Sequence, residues 1–146
     1  DCGQLHRPYR GQHQHRIRAA ALHQGRVRRL PITPPADTRL EQARECGRRL
    51  FHQRLGQLDL ACSDCHDAHA GRRRGESPIP QAHPTGYPIY RLQWQSLSSP
   101  QHRLLACLSG VRAEPFAWGA PEWIEMKLFL ATRARGMLLE IPGVRP

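Results

Sequence analysis

An all-α domain is the fold class this sequence predicts, and three observations predict it. Apolar residues recur at helical spacing in a first stretch, at Leu40, Ala43, Gly47, Leu50 and Phe51. Two later stretches carry helix start and stop signals, one opening at Ser99-Pro100 and stopping at Gly110, the other opening at Pro121 and stopping at Gly136. Between the first stretch and the others lies Cys62-Ser63-Asp64-Cys65-His66, a pair of thiols followed at once by an imidazole.

Residues 1–36 come first and read as an irregular, disordered basic segment. It holds seven arginines, four histidines and a single acid, with no lysine and only Tyr9 as an aromatic. Its apolar residues keep no helical or strand period, so it has little to offset the entropy of ordering. Composition changes at Pro34-Pro35-Ala36-Asp37, and a second region, residues 37–146, begins there. Thr38 and Glu41 have capping-box spacing at the start of the first helix, and Gly47 on its apolar face would let another helix approach closely. This helix ends before Gly56. Residues 70–88 read as loop because glycine and proline interrupt them repeatedly. Tyr87, Tyr90 and Trp94 follow as candidates for the core or a cofactor edge. Ser99 then caps a helix with Pro100 at its first position. The last helix carries Trp123, Ile124, Leu128 and Ala131 on a stripe, and it is expected to cross the first on the Gly47 face.

The chemistry sits in Cys62-x-x-Cys65-His66. Two thiols at this spacing can add across the two vinyl groups of a haem, and the next side chain, His66, then lies beneath the iron as the proximal ligand. A zinc half-site or a redox Cys-x-x-Cys is the other reading, but no second Cys-x-x-Cys is available to complete four zinc ligands. The expectation is one covalently attached haem c, in a cytochrome c-like monohaem domain spanning residues 37–146. The ligand on the opposite side of the iron is open from the residues alone. Met126 and Met137 lie within or just after the last helix. His69 is too near His66, while His83 and His102 are possible. Cys107 lies four residues after Arg103, so both share one helix face, and a cation there favours the thiolate. A lone Cys in an apolar helix is also commonly a structural thiol.

Composition removes other classes. No run of about 18 apolar residues occurs, so no helix here spans a membrane. The net charge of +10 would ordinarily point to nucleic acid, but much of it is concentrated in the irregular segment, and the expectation is no nucleic-acid partner. Covalent haem attachment takes place outside the cytosol. The chain does not begin with Met and shows no secretory apolar region, so it reads as a mature periplasmic form or a fragment. Cys2 and Cys46 are left without an assignment.

From Gly47-Arg48-Arg49-Leu50-Phe51 onward the sequence resembles the SoxA family, subunits of the SoxAX cytochromes that initiate thiosulfate oxidation. The matching pieces are Arg54-Leu55-Gly56-Gln57-Leu58, Cys62-x-x-Cys65-His66, Gly86-Tyr87-Pro88-x-Tyr90-Arg91-Leu92, Arg103-x-x-x-Cys107 and Glu114 after it. The resemblance implies that Cys107 is the distal iron ligand, found in the family as a persulfide, and that Arg103 is an active-site cation. It implies an L-cysteine S-thiosulfotransferase joining thiosulfate to a cysteine of a SoxYZ-type sulfur carrier, with electrons leaving through haem to a SoxX-like monohaem subunit. The competing expectation is a plain periplasmic electron-transfer cytochrome. Many members carry a further N-terminal haem domain, and residues 1–36 hold no second Cys-x-x-Cys-His. That segment reads as a truncated or mistranslated N-terminal domain.

Overall fold

Asp37 starts the helical part of the chain. Its carboxylate accepts a hydrogen bond from the Arg39 N–H at 2.9 Å and opens a short 3-10 turn, Thr38–Leu40, which runs into α1 (Glu41–His52). The expected capping box between Thr38 and Glu41 is therefore replaced. The shorter side chain one residue earlier does the capping, and Glu41 pairs instead with Arg44 at 2.7 Å. Arg44 also donates to the carbonyls of Pro35 and Asp37, which fixes the chain entering α1. The computed structural model describes Cys2 and residues 29–75, 77–141 and 143–145.

After α1 come a single helical turn, α2 (Cys62–His66), a small hairpin of β1 (Arg73–Arg74) and β2 (Ser77–Pro78), and then β3 (Ile89–Arg91) and β4 (Ser96–Ser98). Two helices, α3 (Pro100–Gly110) and α4 (Glu122–Arg133), precede the last strand, β5 (Gly143–Arg145). Strand β3 lies in the middle of a three-stranded sheet, antiparallel to β4 and parallel to β5. The all-α expectation is corrected here: the helices carry the core, but a hairpin and a three-stranded sheet accompany them. Strands of two or three residues cannot show an alternating pattern, and the β3–β5 pairing joins segments far apart in sequence.

Helices α1 and α4 cross at Gly47, as its lack of a side chain predicts. A Cβ there would lie 2.6 Å from the carbonyl carbon of Glu125 and 2.8 Å from Cβ of Phe129. The contact buries Phe51 against Met126 and Leu130, with Phe129 tilted on Phe51 at 5.3 Å. Gly47→Ala forces the helices apart, because the new methyl meets the Glu125 backbone carbonyl and Cβ of Phe129, which no rotamer change moves, an overpacking cost of about 1–3 kcal/mol. Denaturant unfolding of the haem-loaded protein measures it, and an unchanged midpoint would show that the helices do not meet at this point.

The buried residues of α4 are Trp123, Glu125, Met126 and Leu130, continued by Ala134 beyond the helix, so of the expected stripe only Trp123 is among them. Ile124 is 45% exposed. Apolar residues occur around most of this helix, so two stripes one residue apart fit a helical period equally well. Trp123 belongs to both stripes, and the packing of Met126 and Leu130 against Phe51 of α1 selects between them.

Most of residues 1–36 falls outside the described residues, so the expectation of an irregular segment is largely beyond reach of the structure. In the part described, Ile32 N–H donates to the Met137 carbonyl at 2.8 Å and Gly136 N–H to the Ile32 carbonyl at 2.9 Å. Pro34 is buried. Cys2 and Cys46, unassigned from the sequence, form a disulfide across 44 residues. Closing a loop of that length removes roughly 4 kcal/mol of chain entropy from the unfolded state in the loop-closure picture.

Candidate functional site

A tight turn delivers the thiols. Leu55 and Leu60 exchange backbone hydrogen bonds at 3.1 and 3.3 Å, with Gly56 at φ +71° between them. A side chain at Gly56 would run into the backbone of residues 112 and 113, which lie 2.7–2.8 Å from an ideal Cβ. The turn thus presses on the end of α3. Ala61 N–H then donates to the Asp64 carboxylate at 2.9 Å and starts α2. One helical turn puts Cys62, Cys65 and His66, at positions i, i+3 and i+4, on a shared side. On α3, Ser99 accepts from the His102 N–H at 3.2 Å, as its capping position predicts. Arg103 and Cys107 follow at i and i+4.

All five expected site residues line a single cavity: Cys62, Cys65 and His66 from α2, with Arg103 and Cys107 from α3. The rest of the wall is mostly apolar, including Leu55, Leu60, Ile79, Leu104, Phe116 and Trp123. Trp123 is fixed by donating from its indole nitrogen to the Ala117 carbonyl at 2.9 Å, and Phe116 meets it edge-on at 5.3 Å. The imidazole of His66 has Nδ1 2.6 Å from the Pro80 carbonyl oxygen. Nδ1 is therefore the donor and Nε2 keeps its lone pair for a metal. Burial is the main cause that lowers the His66 pKa, against the Pro80 bond, so the neutral ligand form prevails near neutrality.

The thiols respond to the same dry surroundings. Burial pushes Cys62 up to about 11, with Cys107 and Cys65 adding to the rise. Cys107 is also raised by burial, although Arg103, Arg74 and Arg91 all pull it down. The expected pull of Arg103 on the thiol exists, but desolvation outweighs it. Cys62, Cys65 and Cys107 are all free and half-buried.

This donor set fits a covalently held haem. Two thiols stand on one helical turn with an orientated imidazole, a third thiol from α3 lines the same cavity, and most of the remaining wall is apolar. Among the described residues, no group of three or more His, Cys, Asp or Glu is arranged to hold a bare metal ion. The donors suit a metal that brings its own equatorial ligands.

The other ligand candidates lie elsewhere, with one exception. His69 has its Nδ1 2.6 Å from the Asp64 carbonyl, and His102 stacks on Trp94 at 4.2 Å. Neither they nor His83 lines the cavity. Met137 is 39% exposed, whereas Met126 lines the cavity from within the Phe51–Leu130 core. Arg74 was missed by sequence reasoning. It comes from β1, in the stretch read as loop, and it lies over Gly110 at the end of α3, with its influence reaching Cys107. The run Arg72-Arg73-Arg74 between Gly71 and Gly75 is the signal that a turn would present these cations together.

No family model matches the chain. It is 33% identical over 118 residues to "L-cysteine S-thiosulfotransferase subunit SoxA" of Rhodovulum sulfidophilum, covering 81% of this chain and 41% of that protein. The protein of the same name from Allochromatium vinosum is 35% identical over 123 residues, 83% of this chain and 43% of that one. The fold is similar to the crystal structure of SoxXA from P. pantotrophus, with a TM-score of 0.78 and 29% identity, covering 82% of this chain and 46% of that chain. That likeness supports the cytochrome c-like expectation for the domain. The chain spans less than half the length of the curated relatives it matches.

Proposed function

The chain belongs to the SoxA family, and from that premise we propose that residues 37–146 are the haem domain of a periplasmic cytochrome subunit that joins thiosulfate oxidatively to a cysteine of a carrier protein. One observation carries the reading: Arg103 and Cys107 line a single, mostly apolar cavity together with Cys62, Cys65 and His66. Cys62 and Cys65 would hold one haem c through thioether bonds, with His66 and Cys107 as the side chains that would ligate its iron. Bound there, haem accepts electrons one at a time and passes them on.

The chain's own residues do the rest. The Cys107 thiolate and the terminal sulfur of thiosulfate form a sulfur–sulfur bond, with the loss of two electrons. A carrier-protein cysteine thiolate then attacks the sulfur next to the sulfonate and displaces the Cys107 thiolate. The carrier leaves as a cysteine S-thiosulfonate, and Cys107 returns to its starting form. Arg103 holds the thiolate and the oxyanion, because a planar guanidinium pairs with two oxygens at once. The apolar walls keep water from the reacting sulfur. In this reading the electrons go to a SoxX-like monohaem cytochrome, and the carrier is of the SoxYZ type.

Arg103→Ala tests the cation's role. With the partner cytochrome and carrier supplied, the variant should keep its haem spectrum while KM for thiosulfate rises about tenfold or more, the worth of a lost charge-assisted hydrogen bond. An unchanged KM would remove Arg103 from substrate binding.

A further inference from the structure

Arg103 borders a second cavity as well. Its other charged or polar walls include Arg91, Arg145, Glu140, His83 and Tyr87. Glu140 is matched within this set: it accepts from Thr85 Oγ1 at 2.7 Å, and an Arg145 nitrogen lies 3.4 Å away. Among the described residues no acid pairs with Arg91 or Arg103. Arg91 is held in place, its guanidinium carbon 5.1 Å from the centre of the Trp94 ring, which itself stacks on His102. Its Nε is buried without a hydrogen-bond partner among the described residues.

The two guanidiniums sense each other. Burial and then Arg103 lower the Arg91 pKa. Arg91, Arg103 and Tyr87 each interact electrostatically with Cys107. Like charges held together with no acid between them are unfavourable, and a bound anion relieves that cost. The two cavities adjoin, sharing Ser77, Pro78, Pro80 and Arg103 as walls.

We propose that Arg91, with Tyr87 and Arg103, forms a seat for a doubly charged tetrahedral oxyanion beside Cys107. There it holds the sulfonate end of thiosulfate and turns the terminal sulfur toward the Cys107 thiol. The identity of the substrate rests on the proposed function; the seat itself does not. Two planar guanidiniums offer paired N–H donors to different oxygens, and the Tyr87 hydroxyl offers one more. Arg91 thus binds the non-reacting end and sets the reacting sulfur at its distance.

Inorganic sulfate is the probe, since it has the same charge and near-equal shape but no reactive sulfur. Calorimetric titration of the haem-loaded protein in complex with its partner cytochrome should show sulfate binding about ten- to hundredfold weaker in Arg91→Gln, the worth of charge-assisted hydrogen bonds. Arg91→Lys should restore part of it. In turnover, KM for thiosulfate should rise by a comparable factor while kcat changes far less, a split that a merely structural role for Arg91 would not produce. If Arg91→Gln does not retain haem, Tyr87→Phe decides, with sulfate binding expected to weaken severalfold. Absence of sulfate binding by the unaltered protein, or affinity unchanged in the variants, overturns the seat. Sulfate binding that depends on Arg91 in a protein without thiosulfate turnover supports the seat and removes the proposed function instead.

Discussion

Cys107→Met should abolish thiosulfate-dependent electron transfer while leaving haem covalently attached. The variant keeps Cys62, Cys65 and His66, so attachment proceeds as before, and the longer methionine side chain starts from a position on α3 that lines the open cavity, which gives it room. What it lacks is a sulfur that can form and release a sulfur–sulfur bond. Removal of a covalent nucleophile lowers turnover by at least roughly 10³-fold. The assay follows reduction of the partner cytochrome with thiosulfate and the carrier protein both present. Turnover near that of the unaltered protein would make Cys107 a structural thiol and favour the plain electron-transfer cytochrome.

Cys62→Ala combined with Cys65→Ala should remove covalent haem altogether. Both thiols lie on the same side of α2 as His66 and line the cavity with it. Denaturing mass spectrometry of protein made with the haem-maturation machinery should show one haem per unaltered chain and none on the double variant. A haem that leaves the unaltered chain on denaturation would exclude thioether attachment. The apolar cavity then has no filling, and the exposed Leu55, Leu60, Phe116 and Trp123 surfaces should cost the variant several kcal/mol, because roughly 25 cal/mol accompanies each square ångström left uncovered.

How far the sequence was legible depends on the range of the interaction. Local signals held: Ser99 caps α3, Pro100 takes its first position, and Gly47 marks where α1 and α4 meet. Spacing puts Cys62, Cys65 and His66 on one face of α2 and Arg103 and Cys107 on one face of α3, whereas the roles expected of Arg103 and Cys107 came from the family resemblance. That both faces line one cavity is a tertiary fact, and the structure supplies it. The three-stranded sheet escaped because Ile89–Arg91 and Gly143–Arg145 are too short to alternate and pair across some fifty intervening residues. Asp37 rather than Thr38 starts the first helical segment, since adjacent oxygen-bearing side chains compete for one capping role. Arg74 and Arg91 come from strands in a region read as loop or as motif, so their convergence near Cys107 leaves no periodic trace. The disulfide between Cys2 and Cys46 joins a residue of the irregular segment to a helix, a pairing that spacing cannot reveal.

In the proposed function the sulfur of Cys107 and the imidazole of His66 would both ligate the haem iron. The low-spin electron paramagnetic resonance spectrum of the oxidised, haem-loaded protein reads this directly, because thiolate and thioether ligation give clearly different sets of g values. A thiolate-type signal is expected in the unaltered protein and should be lost in Cys107→Met. A methionine- or bis-histidine-type signal in the unaltered protein, unchanged on replacing Cys107, would contradict it.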